Sequence, residues 1–252
     1  MARLVLKLGG SIVTRKDSAY TARLDVLAAY ARLLRRLVGE GHEVLVVLGG
    51  GSYGHTAVLE ALRRGEGPSS LLSIASRAMD RLASIASEVF EAEGLHPVVY
   101  PPRSLCDPSG LQPRCDWRRV EEAMQLGALP LTHGDVYARG GSALVVSGDE
   151  LAAEAACKLR ASRLVYATGV DGVYREGALV ERVEGVEALR ALLGAAGSSH
   201  APDVTGGMRR KLEAILVNAC RGLRVYIVNG MRLDVVGEAL AGGEPRGTIL
   251  YL

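Results

Sequence analysis

Val44–Leu48 is an aliphatic run that passes directly into Gly49-Gly50-Gly51-Ser52-Tyr53-Gly54-His55, and a stretch with helical spacing follows. A strand feeding a glycine turn and then a helix leaves backbone N–H groups free at the helix start, where the dipole also favours negative charge. One such turn is a moderate sign of an anion site, because a glycine cluster also serves any tight turn. This chain repeats the device. Gly9-Gly10-Ser11, Ser147-Gly148-Asp149 and Asp171-Gly172 each come after a strand-like run, and Thr205-Gly206-Gly207 opens a further helix. Turns of this kind at the ends of several strands require those ends to lie along one rim, which few folds allow.

The rest of the pattern supplies the strands and helices. Strands are predicted over Arg3–Leu8, Glu43–Leu48, Pro97–Tyr100, Leu129–Thr132, Ala143–Val146, Arg163–Thr168, Arg224–Val228 and Thr248–Tyr251, with a hairpin-like pair at Val173–Tyr174 and Leu179–Val183. Helices are predicted over Ala22–Val38 (capped by Thr21, with Leu24, Leu27, Ala28, Ala31, Leu34 and Leu37 on its apolar face), Thr56–Arg64, Ser69–Glu93, Trp117–Leu126, Glu150–Leu159, Val186–Leu193, Met208–Cys220 and Leu233–Ala241. Pro101–Asp116 is turn-rich and takes no assignment. The alternation predicts an α/β protein: a three-layer αβα sandwich with a mainly parallel open sheet and right-handed crossovers, in one domain spanning 1–252. In such sheets ligands bind outside the carboxyl ends of the strands, where the glycine turns fall.

Bulk properties exclude several classes. A net charge of +2 leaves no electrostatic footprint for nucleic acid. The N-terminus reaches Arg3 and Lys7 too early for a signal peptide, and no apolar run approaches the roughly 18 residues of a membrane span. A cytoplasmic protein without a membrane partner is the expectation. Cys106, Cys115, Cys157 and Cys220 form no CxxC pair, which argues against zinc. They are expected to be free thiols in a reducing cytosol, although Cys106 and Cys115 flank a proline-rich loop and could pair.

Of 30 basic residues only Lys7, Lys16, Lys158 and Lys211 are lysine. Where arginine serves as the general cation, a lysine marks a place that needs a compact ammonium. Lys7 precedes the first glycine turn, and Lys211 lies in the first turns of the helix opened by Thr205-Gly206-Gly207. The pattern GxxxxGK[ST] is absent, which argues against a P-loop NTPase. Phosphoryl transfer, by contrast, needs positioning and cations and little covalent chemistry. Asp149 suits either of two tasks, holding the lysines or helping to bind Mg²⁺. His55 stands one turn into a helix that begins at a glycine cradle, whereas His42, His96, His133 and His200 read as incidental. No cluster suggests a protein-held metal, and Ser52 has no evident base partner.

Lys7-Leu8-Gly9-Gly10-Ser11, Gly49 through His55, Gly134-Asp135-Val136, Ser147-Gly148-Asp149, Asp171-Gly172-Val173-Tyr174 and Asp203-Val204-Thr205-Gly206-Gly207-Met208 together resemble the amino acid kinase superfamily in order and spacing. The histidine of the GGGSYGH turn and the DVTGGM segment are most similar to the archaeal-type isopentenyl phosphate kinases. The resemblance implies ATP-dependent phosphorylation of isopentenyl phosphate to the diphosphate, with ATP and Mg²⁺, in a homodimer. It implies an acceptor-binding half over roughly 1–160 and a nucleotide-binding half over roughly 161–252. Carried over residue by residue, Lys7, His55, Lys211 and Asp149 form the catalytic set. Gly50, Gly54, His55, Lys16 and Gly148 fall to the acceptor, and Lys7, Gly9, Gly10, Ser11, Gly51, Asp171, Tyr174, Gly206 and Lys211 to ATP. An isoprenoid tail needs an apolar pocket, for which Met79, Leu82, Ala83, Ile85, Val145 and Val146 are candidates. The chain departs from the pattern at Gly169, where relatives commonly carry an acid.

The chemistry is consistent with that resemblance. A phosphate monoester has a second pKa of about 6, so its oxygen is already anionic near neutral pH and needs no general base. A histidine then serves as a ligand of the acceptor phosphate. A related kinase acting on a carboxylate, carbamate or nucleoside monophosphate would leave His55 without a task. A non-catalytic nucleotide or oxyanion binder would not need Lys7, Lys211 and Asp149 together.

Overall fold

The computed structural model describes residues 1–65, 67–107, 114–198 and 206–252. Strand β1 (Arg3–Leu8) leads into a single helical turn, α1 (Gly10–Val13), and helix α2 (Leu24–Gly39) carries the chain back to β2 (Glu43–Leu48). Helix α2 starts later than the Thr21 cap predicts. The Thr21 hydroxyl bonds to Ser18 Oγ at 2.7 Å and donates to Ala19 O at 3.0 Å, so it closes the preceding loop, and Leu24 is left 55% exposed. Helix α3 (Gly51–Arg64) begins inside the glycine turn rather than after it, with Gly50 at its N-cap. Helix α4 (Pro68–Ala92) starts on a proline, whose missing N–H costs nothing in a first turn. Strand β3 (Pro97–Val99), α5 (Pro102–Leu105), the short strands β4 (Cys106–Asp107) and β5 (Arg114–Cys115), and α6 (Arg118–Gln125) follow.

Strand β6 (Leu129–His133) is followed at once by a hairpin of β7 (Asp135–Arg139) and β8 (Ser142–Val146). Its turn residues Gly140 and Gly141 have φ of 53° and 76°, the left-handed values that close a two-residue hairpin. Ala143–Val146 therefore stands outside the main sheet, paired only with β7. Helix α7 (Gly148–Lys158) leads to β9 (Arg163–Thr168), the hairpin β10 (Tyr174–Arg175) and β11 (Ala178–Leu179), and β12 (Arg182–Glu184). Helices α8 (Gly185–Ser198) and α9 (Gly206–Val217), strand β13 (Arg224–Asn229), α10 (Leu233–Ala241) and β14 (Thr248–Tyr251) complete the chain.

Eight strands form one sheet in the order β12-β14-β13-β9-β1-β2-β6-β3. Every neighbouring pair is parallel except β13 with β14. The three-layer, mainly parallel sandwich read from the sequence is the fold observed. Strand residues alternate between the two layers of helices, as the period of two requires. Leu4, Leu6, Leu8, Val46 and Ala167 face the core with α2, α4 and α10, whereas Val5, Val47, Leu164 and Tyr166 face the core with α6, α7, α8 and α9. A third cluster, including Tyr53, Ala75, Met79 and Val136, joins α3 and α4 to the base of the β7–β8 hairpin.

The cysteines correct the sequence reading. Cys106 is bonded to Cys115 and Cys157 to Cys220, so no described cysteine is a free thiol. The β4–β5 register sets the first pair directly opposite each other. The second pair is 63 residues apart and meets because α7 and α9 pack side by side, which spacing along the chain does not reveal.

Candidate active site

The alternation of β1 decides where Lys7 points. It shares parity with Val5, so its side chain enters the α7–α9 layer, where a lone ammonium would be costly. Helix α7 supplies the counter-charge. Ser147 caps it by accepting the Asp149 N–H at 3.1 Å, and Glu150 Oε2 accepts the Ser147 N–H at 3.2 Å. This capping box fixes the first turn and with it the direction of Asp149. Asp149 Oδ1 lies 2.7 Å from Lys7 Nζ and 2.8 Å from Lys211 Nζ, so one oxygen is shared by two ammonium groups. Lys211 comes from the second turn of α9 and also lies over the Tyr166 ring at 4.4 Å, while the Tyr166 hydroxyl donates to Asp149 O at 2.9 Å.

Charge and burial oppose each other in this cluster. Burial alone would raise the Asp149 carboxyl, but Lys7 and then Lys211 outweigh it and bring its pKa down to about 2. Burial, followed by repulsion from Lys7, brings Lys211 down to about 8 despite its contact with Asp149. Burial also holds the Tyr166 hydroxyl well above its ordinary value. Lys7 and Lys211 are only 8% and 5% exposed, yet both line the cleft. That combination excludes surface cations held only by solvent.

The first two glycine turns pack backbone against backbone. A Cβ on Gly9 would sit 2.7 Å from Ala167 O, one on Gly49 would sit 2.5 Å from Gly10 N, and one on Gly10 would collide with Gly51. Gly51 itself has a φ of 48°. Thr14 ties the turns together: its hydroxyl donates to Gly10 O at 2.7 Å and accepts the Ser52 N–H at 2.9 Å. Sequence reading missed this residue, because a loop threonine carries no local sign of a partner 38 residues away.

The turns open into a cleft of about 640 Å³ lined by Lys7, Gly9, Gly10, Ser11, Lys16, Gly50, Gly51, Gly54, His55, Gly148, Asp149 and Lys211. His55 and Lys16 are exposed at its mouth. One end of the cleft is apolar, with Val58, Ala75, Met79, Val136, Val145 and Val146 in its wall. Of the apolar candidates, Leu82, Ala83 and Ile85 do not line it, and Leu82 and Ala83 are fully packed in core clusters. Val58, Ala75 and Val136 were not read from sequence; Ala75 lies one helical turn before Met79 on the same face of α4.

Asp171 and Tyr174 do not line the cleft. Asp171 accepts from Asn229 Nδ2 at 2.9 Å and pairs with Arg246 Nε at 3.2 Å; Tyr174 begins the β10–β11 hairpin, and Gly206 begins α9 next to the cleft-lining Gly207. Asp203, Val204, Thr205 and His200 lie outside the described residues. Gly169 does line the cleft, and a Cβ there would sit 3.3 Å from Ser11 Oγ, so the chain brings bare backbone to the Ser11 turn where an acid would stand. Arg210, beside Lys211, adds a further exposed cation to the wall.

An αβα sandwich whose glycine turns meet two buried lysines on a shared carboxylate, next to an apolar end, has the equipment of a small-molecule kinase. Residues 2–229 match the model of the amino acid kinase family, and the chain belongs to that family. It is similar to the isopentenyl phosphate kinase of Methanocaldococcus jannaschii, at 28% identity over 97% of this chain and 96% of the relative. It is also similar to the isopentenyl phosphate kinase of Haloferax volcanii, at 33% identity over 95% and 97%. A crystal structure of the isopentenyl phosphate kinase product complex of T. acidophilum superposes with a TM-score of 0.76 at 25% identity, covering 98% of this chain and 99% of the other.

Proposed function

We propose that this chain transfers the terminal phosphoryl group of ATP to isopentenyl phosphate, giving isopentenyl diphosphate and ADP. The observation that carries the reading is the composition of one cleft. Its cationic end holds Lys7 and Lys211 on Asp149, its glycine turns carry His55, and its far end is apolar. A charged head and a hydrocarbon tail on one acceptor call for that succession. The full-length similarity to isopentenyl phosphate kinases supports the same acceptor.

In this reading His55 donates to the acceptor phosphate, together with Lys16 at the mouth, and the phosphate rests on the bare backbone of Gly50 and Gly54. An oxygen of that phosphate, already anionic, attacks the terminal phosphorus of ATP in line, and the bond to the bridging oxygen of ADP breaks. Lys7 lies over the transferring group and Lys211 on the leaving side, with Gly9, Gly10 and Ser11 around the terminal phosphates. Asp149 holds both ammonium groups in place, so little reorganisation is needed as charge moves. Gly148 leaves room for α7 to start against β2, and Gly51, Asp171, Tyr174 and Gly206 complete the nucleotide side. The acceptor then occupies roughly 1–160 and the nucleotide roughly 161–252.

Mg²⁺ enters with ATP, as part of the nucleotide substrate. Asp149 Oδ1 is already occupied by two ammonium groups, and among the described residues no cluster of three or more His, Cys, Asp or Glu is placed to hold a metal. A protein-held Mg²⁺ at Asp149 does not fit this arrangement. Our reading includes a cytoplasmic homodimer. No described helix is long and apolar enough to cross a membrane, and disulfides do occur inside cells of hyperthermophiles. Light scattering on the purified protein decides the dimer.

An ATP-coupled assay across isopentenyl phosphate, dimethylallyl phosphate, UMP, carbamate and N-acetylglutamate tests the acceptor. Turnover with the isoprenyl monophosphates and not with the others is expected. Preference for UMP, carbamate or N-acetylglutamate would reassign the chain within its family, and no turnover with any of them would leave it a binder.

A further inference from the structure

The apolar end of the cleft has two walls from separate elements. Met79 and Ala75 come from α4, and Val136 from β7. Immediately beside these residues in the chain lie two carboxylates, Asp80 after Met79 and Asp135 before Val136. One guanidinium joins them. Arg103, on α5, donates from Nη2 to Asp80 Oδ2 at 2.6 Å and from Nη1 to Asp135 Oδ2 at 2.8 Å. The Asp135 side chain is 0% exposed, and its other oxygen accepts the Val136 N–H at 2.8 Å, so its position and that of Val136 are set together.

We infer that Arg103 is a positioning residue that fixes the spacing between α4 and β7, and through Met79 and Val136 the fit of the acceptor's tail. The inference rests on the acceptor proposed above. The fork geometry of the guanidinium is what makes this possible, because two N–H groups held in one plane span two carboxylates on different elements. A shift of α4 reaches the phosphate turn as well. Cβ atoms on Gly50 and Gly54 would lie 3.3 and 3.7 Å from Met79 Sδ, so the thioether packs on the bare backbone that would receive the acceptor's head.

Asp80→Ala tests this most directly. It removes the α4 arm while keeping the buried Arg103–Asp135 pair, and Asp80 is 42% exposed, so folding is retained. Arg103→Lys is the second variant: it keeps the charge beside Asp135 and loses the fork. The measurements are kcat and KM for ATP, for isopentenyl phosphate and for a monophosphate with a tail one isoprene unit longer, with Tm alongside. In both variants the KM for isopentenyl phosphate is expected to rise about fivefold, the factor a partly exposed ion pair is worth. The ATP KM stays at its wild-type value, and the preference between tails shifts towards the longer one. Unchanged acceptor KM and tail preference in both variants would overturn the inference. So would a joint loss for ATP and acceptor that follows Tm, since that marks general loosening. Wild-type protein inactive on isopentenyl phosphate would instead remove the proposed acceptor, and this inference with it.

Discussion

Asp149→Asn keeps the size of the side chain and removes the one carboxylate between two buried ammonium groups. The Asp149 side chain is 15% exposed and its Oδ1 lies 2.7 and 2.8 Å from the two lysine nitrogens. Taking one partner from a buried ion pair costs about 3–5 kcal/mol, because the charges left behind are desolvated and uncompensated. Here the strain has an outlet in titration. Lys211 is already brought to about 8 by burial and by Lys7, with Asp149 opposing both. Without the carboxylate its pKa falls further, and less of the nitrogen carries a charge at neutral pH. The charged form is the one that stabilises the leaving phosphates, so the wild-type kcat/KM for ATP declines as pH rises past about 8, and the variant's declines at lower pH. At neutral pH the loss in kcat is on the order of 10²–10³, the scale of one electrostatic donor. The assay is kcat/KM for ATP at saturating acceptor from about pH 6 to about pH 10. An alkaline limb unmoved by the substitution would refute the reasoning, because Lys211 would then owe nothing to Asp149.

Four further outcomes are expected. His55→Ala cripples turnover of isopentenyl phosphate and leaves ATP affinity nearly intact; unchanged turnover would remove the histidine from the acceptor site. Lys7→Ala lowers kcat on the order of 10²-fold, and a loss confined to KM would assign it uniform binding instead. Asp149 sits at about 2 in the folded chain against 3.8 unfolded, so it contributes about 2 kcal/mol that is present above about pH 4 and lost as pH falls through about 2. Urea unfolding across that range should show a shallower acid decline in Asp149→Asn than in wild type, and equal slopes would contradict the assignment. Cys157→Ser opens a 63-residue loop and should lower stability by about 4 kcal/mol, or roughly 10 °C in Tm; an unmoved Tm would show the link to be dispensable.

What could be read in advance followed from local rules. Lysine is scarce in this chain and Lys7 precedes a glycine turn, and Asp149 closes a Ser-Gly-Asp turn after a strand, so both are legible as site candidates, whereas the capping box that aims Asp149 is seen only in the structure. The glycine turns were visible because only bare backbone allows Gly10 and Gly51 to meet. The start of α2 was misread because Thr21 has two uses for its hydroxyl, and the loop took it. The β7–β8 hairpin was half seen, since Ala143–Val146 looks like any buried strand until Gly140 and Gly141 turn it back onto Asp135–Arg139. Thr14, Arg103 and both disulfides depend on partners that only packing brings near, and no periodicity encodes them.

The two ends of the cleft are built on different physical terms. At the cationic end the two lysines are buried and tied: α7 and α9 are joined through Asp149 and Lys211, and the last turn of α7 is joined to the segment just past α9 through Cys157–Cys220. Tyr166 fills the space between them, with its ring under Lys211 and its hydroxyl on the Asp149 carbonyl. Such a cluster gives up stability to keep two ammonium groups dry, and in return the charges need not rearrange when a phosphoryl group passes. At the acceptor end the polar groups are exposed: His55 and Lys16 stand at the mouth, and Val145 is 63% exposed on the hairpin. There the ligand itself must complete the contacts, so affinity for the acceptor depends on how well its tail removes that apolar surface from water, at about 25 cal/mol per Å². A single substitution at Val145 or Val136 therefore changes which acceptor fits with little effect on the chemical step, whereas a single substitution at Asp149 slows the step for every acceptor.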